Sequence, residues 1–271
     1  MRAELRVLPH VVAYEWRKAS AFRMGLVIRE GLRGVGRPIV ALFVYVAMFE
    51  SSGLRELSGY SLRELLAYLV WTSVIFKCLT DEKSLDIAEQ IFDGYITKYL
   101  VMPLGFFTLV LGRFFQLTAL QVVASSFFWA LGAVLLPAYW PYPVSALAFV
   151  QALVLVGLGA YCYLLAHFIL SCLAFWLDVV WSLLGMFRFV SMFVSGTLVP
   201  VAMMPGAVQH AFSYTFPYWT VFAPAELLLG RMSGERWTAG LITLGVWIVA
   251  LQWLASWVWR RGTERYAGAG A

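Results

Sequence analysis

The chain has 271 residues, of which 62% are hydrophobic and only 13% charged, with a mean hydropathy of +0.78. A water-soluble domain carries about a quarter charged residues, so this composition excludes a soluble globule and makes lipid the solvent for most of the chain. The net charge of +5 does not argue for nucleic acid, because basic residues flanking membrane spans account for it.

In chain order, residues 4–30 come first. Leu5, Leu8, Val12, Trp16, Ala19, Phe22 and Leu26 recur at helical spacing, with Arg6, Arg17, Lys18 and Arg23 elsewhere around the axis. A basic amphipathic helix of this kind lies in the headgroup plane, and Pro9 suits its first turn. No cleavable signal peptide is expected, since the first 33 residues are studded with arginine and lack an apolar core. Gly31, Gly34 and Gly36 let the chain turn upright. Spans then follow near 34–50, 62–80, 114–136, 144–172, 177–199 and 237–258, since roughly 20 apolar residues of helix cross the hydrocarbon. The runs are continuous rather than alternating, which favours helices over a barrel. The expected fold is an all-α polytopic membrane protein, a single transmembrane domain over 1–271.

Charge fixes the expected orientation. Basic residues gather in the N-terminal 37 residues, in 77–113 (Lys77, Lys83, Lys98, Arg113) and at Arg260, Arg261 and Arg265, whereas only Arg55, Arg63, Arg231 and Arg236 fall in the alternate segments. The positive-inside rule puts both termini in the cytoplasm, and six spans agree with that parity. Tyr139, Trp140 and Tyr142 mark the outer interface, and Trp253, Trp257 and Trp259 the inner one.

The polar insertion at 81–103 is then cytoplasmic. Asp86, Glu89 and Asp93 share one helical face, and Ile87, Ile91 and Tyr95 take the other. Gly94 weakens the helix late and Pro103 closes the segment. Such a helix either rests on the membrane or docks a cytoplasmic partner; its three acids would be repelled by anionic headgroups. Between the last two spans, Pro200, Pro205, Pro217 and Pro224 break an apolar stretch from Gly196 to Gly230 into pieces too short to cross. Its expected form is a set of re-entrant half-helices over 200–230, tolerable only where buried in protein or lining a cavity.

Motifs for chemistry are absent. There is no GxxxxGK[ST] phosphate loop, no HExxH and no GxSxG. Cys78, Cys162 and Cys172 fall in or beside spans, and neither they nor His10, His167 and His210 have metal-ligand spacing. His167 reads as a hydrogen-bonded contact between helices. Arg188 lies midway along the fifth span, where a charge costs roughly 2.5–3.5 kcal/mol. It faces either a translocation route or anionic group, or a structural partner on another helix. Asp178 lies about 15 Å away along the same helix and cannot pair with it. Lys77 and Arg113 sit where they can snorkel to the surface.

Together these features resemble the permease subunit of a type 2 ATP-binding-cassette exporter. The likeness rests on the elbow helix at 4–30, the run from Ile91 to Leu104 (IFDGYITKYLVMPL), Gly196 to Pro205, and Phe216-Pro217-Tyr218 to Gly230. It implies a permease dimer, of two copies or two paralogues, above separate cytoplasmic ATPase subunits. ATP and Mg²⁺ would be held by the partner, with no cofactor on this chain. The helix at 84–98, with Asp86, Glu89, Ile91, Asp93, Gly94 and Tyr95, would be the coupling helix seated on the ATPase, and the elbow would add a second contact. The resemblance also implies export, in a prokaryotic inner or plasma membrane. A gradient-driven secondary transporter is the alternative, motivated by Arg188 and Asp178, but paired repeats are missing. An intramembrane enzyme would need a convergent polar constellation, and none is apparent.

Overall fold

The computed structural model describes residues 43–51, 55–79, 87–100, 105–135 and 144–266, together with Ala13, Val40 and Gly53. The elbow at 4–30, most of the first half of the first span, Asp86 and the aromatic run at 139–143 lie outside the described residues.

The expected helical architecture holds, with one small exception. Helix α1 occupies 43–51. A two-stranded antiparallel hairpin follows, β1 (Glu56–Leu57) and β2 (Tyr60–Ser61), pairing Glu56 with Ser61 and Leu57 with Tyr60. The fold is therefore not purely α. Ser58 and Gly59 both have positive φ, 52° and 79°, as a tight two-residue hairpin turn requires.

Helix α2 (Leu62–Leu79) begins at once; Glu64 reaches back to the Ser61 amide at 2.9 Å and accepts from its hydroxyl at 2.8 Å, which satisfies the first turn. Two short helices, α3 (Ile87–Phe92) and α4 (Ile96–Leu100), stand where one helix at 84–98 was expected. Helix α5 (Phe106–Leu135) starts eight residues before the predicted 114, running straight through Arg113. Helix α6 (Ala146–Cys172) starts under a Ser145 cap and continues as a tighter turn, Leu173–Phe175. Helix α7 is only Trp181–Val194; its 14 residues span about 21 Å, less than the expected 177–199, because the chain from Leu177 to Val180 is not helical. The last helix, α10 (Gly234–Arg265), exceeds its predicted 237–258 at both ends. Among the described residues, Ala146–Phe175 and Gly234–Arg265 are long and apolar enough to cross a membrane.

Between α7 and α10 the prolines do what their chemistry dictates. Pro200 precedes a short turn, Val201–Met203; Pro205 caps α8 (Gly206–Phe212); Pro217 caps a π-helical turn, Tyr218–Phe222; and Pro224 lies in the first turn of α9 (Ala223–Leu228). Gly196 and Gly230, with φ of 73° and 71°, bracket the whole segment.

Lipid offers apolar surfaces no reason to leave it, so helices there associate through close packing and small residues. Gly159 on α6 admits the Thr220 side chain, Gly240 on α10 admits the Trp219 ring, and Gly262 admits Phe175. The broken segment is thus wedged between α6 and α10, its π-helical turn fully buried.

Candidate functional site

One end of the bundle carries α3 and α4. Ile87, Ala88 and Ile91 are buried against α6 and the turn after it. Gly94 adopts φ 76°, a left-handed conformation that costs other residues about 1–2 kcal/mol. It ends α3 and redirects the chain. As a consequence Ile96, 0% exposed, takes the next buried position, and Tyr95, placed on the buried face by a continuous helical reading, is instead 65% exposed. Glu89, Phe92, Asp93, Tyr95 and Lys98 form the solvent face. Two of the expected acids, Glu89 and Asp93, do lie together there. The exposed aromatic pair Phe92 and Tyr95 is what a single-helix pattern hides.

This end is tied to the rest by aromatic packing. Tyr99 packs on Phe106 at 5.4 Å, Phe106 stacks on Trp259 at 5.0 Å, and Trp259 meets Phe168 and Phe175. The Thr97 and Tyr266 hydroxyls lie 3.3 Å apart. Arg113 donates to the Tyr99 hydroxyl at 3.2 Å, reaching toward α4. The Lys77 Nζ is buried rather than at the surface.

The opposite end holds a polar cluster that sequence reasoning missed. Tyr60 donates to Glu226 at 2.6 Å, and Arg231 donates to the Gly59 carbonyl at 2.8 Å. Arg231 also reaches Glu64 at 3.6 Å and Glu226 at 3.7 Å, and lies 4.0 Å from the Tyr60 ring centroid. Arg236 donates to the Tyr218 hydroxyl at 3.0 Å. Burial raises the Glu226 carboxyl above its usual value, against the opposing effects of the Tyr60 hydrogen bond, Arg231 and Arg236. Burial, followed by Glu226, also holds the Tyr60 hydroxyl well above its ordinary range. The cluster joins the hairpin and α2 to the far side of the proline-broken segment. Its one legible signal was Glu226, a lone acid in an apolar stretch.

The candidate pathway residue Arg188 is half-buried on α7. It is close enough to His167 on α6 for the two to interact electrostatically. His167 packs edge-on against Phe187 of α7 at 5.3 Å, a contact between helices, and its Nε2 has no hydrogen-bond partner among the described residues. Asp178 is exposed and non-helical, so it belongs to no intramembrane pair with Arg188. Beyond Arg188, α7 exposes Trp181, Met186, Phe189 and Phe193. Its C-terminal turn is pinned by the Tyr68 hydroxyl, which donates to the Gly196 carbonyl at 2.9 Å.

The broken segment is held by indoles. Trp219 donates to the Ser213 carbonyl at 2.6 Å and Trp247 to the Tyr214 carbonyl at 2.8 Å. Among the described residues no cluster of three potential metal ligands occurs.

A family model described as ABC-2 family transporter protein matches residues 35–270. The chain belongs to this family. It is an ABC transporter permease, a membrane component that is not itself catalytic, and membership implies an ATP-binding partner. No curated relative matches the chain. The match spans the coupling-segment candidate, the proline-broken segment and the last helix of this ABC-2 permease, and it favours the transporter-subunit reading over a gradient-driven carrier or an intramembrane enzyme.

Proposed function

We propose that the chain is the membrane-spanning subunit of an ATP-driven exporter, forming the translocation pathway with a second permease copy or paralogue and docking separate cytoplasmic ATPase subunits. The observation that carries this reading is the built surface at α3–α4. Ile87, Ile91 and Ile96 anchor it in the bundle, and Glu89, Phe92, Asp93 and Tyr95 project from it. A segment that only rested on lipid would present its aromatics and hide its acids; here both face outward together. Exposed aromatics flanked by charge suit a protein partner.

In this reading the α3–α4 end and both termini are cytoplasmic, as the basic residues near Lys98 and Arg260 to Arg265 favour. The permease sits in a prokaryotic inner or plasma membrane, and ATP and Mg²⁺ belong to the partner. The broken segment over 200–230 is a re-entrant gate in the outer leaflet, buried in protein as irregular backbone at membrane depth must be. Arg188 faces the route or the second permease. The test is co-purification with the ATPase encoded alongside it, comparing the native chain with Asp86, Glu89 and Asp93 changed to Lys. Loss of the complex in the variant supports the reading. A native chain that never binds the ATPase, even with the nucleotide-bound state trapped, removes it.

A further inference from the structure

Helices α2, α5 and α6 do not close on one another. Between them lies a cavity of about 340 Å³. Its wall includes Trp71, Leu111, Phe115, Leu153, Gly157 and Tyr161. The lining is almost wholly apolar; of its hydroxyls, that of Tyr161 donates to Gln252 at 2.6 Å and that of Thr118 donates to the Cys78 carbonyl at 3.4 Å. Water needs two to four polar partners to occupy a site, and so apolar a wall does not gather them. The cavity therefore takes an apolar occupant. An engineered apolar cavity of about 150 Å³ already binds benzene, so this one has room for a longer hydrocarbon segment.

The rim identifies the occupant's source. Phe115, Phe149 and Leu153 border the cavity and are also exposed on the outside of the bundle. The cavity is thus continuous with the exposed helix faces along α6, which among the described residues is one of the two helices long and apolar enough to span. Gly157 adds an independent observation. A Cβ built there meets no atom within 4 Å, whereas at Gly159, two residues on, it would run into Thr220. Gly157 therefore does not serve helix packing; it lines the groove and is exposed.

We infer that this groove is a lateral lipid site, holding one acyl chain of a bilayer phospholipid inserted between α2, α5 and α6. The lipid acts as a removable part of the packing: with the chain in place the three helices are fully supported, and without it they are separated by an apolar void.

The test uses the full-length permease in nanodiscs containing phosphatidylethanolamine with a mid-chain diazirine, with labelled peptides mapped by mass spectrometry. Labelling of the groove peptides around Trp71 and Leu153 should exceed that of the exposed α10 face at Val246, Val249 and Trp253. Gly157→Leu adds a side chain to the groove wall at a position where a Cβ meets no atom within 4 Å. Each displaced methylene lowers affinity roughly fourfold, so two lower it roughly sixteenfold. Groove labelling should fall by that order while α10 labelling and the melting temperature stay unchanged. Groove labelling no higher than on α10, or unaltered by Gly157→Leu in a protein that still melts like the native one, overturns the inference. So does loss of transport in Gly157→Leu with the groove unlabelled in the native protein, which would make the cavity a cargo route. Gly157→Ala, which fills less, should give an intermediate loss and guards against misfolding of the leucine variant.

Discussion

Replacing Tyr60 with Phe removes one hydroxyl and leaves its ring packing intact, so it isolates the 2.6 Å bond to Glu226. The Glu226 side chain is 12% exposed. A hydrogen bond to a charged group contributes about 1.5–3 kcal/mol, and the deprived carboxylate retains Arg231 at 3.7 Å and the charge of Arg236. The expected loss is therefore near 2 kcal/mol, or several degrees of melting temperature at about 2–4 °C per kcal/mol for a chain of about this size. The assay is a double-mutant cycle of Tyr60→Phe with Glu226→Gln, followed by thermal melting in detergent. Contacting residues should show a coupling above about 0.5 kcal/mol; strict additivity would falsify the clasp. The pH dependence supplies a second check. Burial raises the Glu226 carboxyl, so its stabilising share is fully present below the unfolded value of 4.5 and declines as pH rises through the raised folded value. The Tyr60 bond favours the ionised form, so the Tyr60→Phe penalty should be largest above that folded value and shrink as the carboxyl protonates. A penalty that grows toward acid would contradict the assignment.

Gly240→Ala places a Cβ 2.6 Å from Trp219 Cε3; overpacking of this kind costs about 1–3 kcal/mol, read as a lower melting temperature. Gly245→Ala, with open space around its Cβ, should gain up to about 1 kcal/mol; equal behaviour of the two variants would refute the wedge. Gly94→Ala strains a residue at φ 76° and should weaken ATPase binding without altering expression, since it disturbs the presentation of Tyr95 rather than the bundle. Tyr95→Ala should weaken that complex by about 2 kcal/mol or more if the ring is an interface anchor, measured by titration of labelled ATPase; unchanged affinity would move the contact to Glu89 and Asp93 alone.

Much of the helical layout was readable because lipid imposes a simple code. A span must be long, apolar and hydrogen-bonded within itself, so α6 and α10 announce themselves by composition. Pro200, Pro205 and Pro217 each stand at an element boundary because a missing amide leaves few alternatives, whereas the helical run from Tyr218 to Leu228 passes through Pro224 unbroken. What failed was the part decided by contacts distant in sequence. Arg113 looked like the end of a helix, yet α5 begins seven residues before it, and its guanidinium meets Tyr99, 14 positions earlier in the chain. Tyr95 followed the helical period on paper, but one left-handed glycine shifted the register and put Ile96 inside. The Tyr60–Glu226 contact joins residues 166 positions apart, a separation over which no local pattern carries information. The hairpin was missed because four strand residues are too few for an alternation to register.

Helix α10 touches both ends of the molecule. Near one end Trp259 and Tyr266, the residue just beyond it, lie among the aromatics that meet α4 and α5; toward the other Gly240 and Trp247 grip the broken segment. Its 32 residues make a beam of about 48 Å. A tilt of about 5° about one end displaces the other by about 4 Å over such a length, close to the diameter of a methyl group. The proline-broken segment cannot ignore that displacement, since Trp219 sits in the notch at Gly240. A single continuous helix thus makes the two faces of the membrane mechanically one, with no joint between them to absorb the motion.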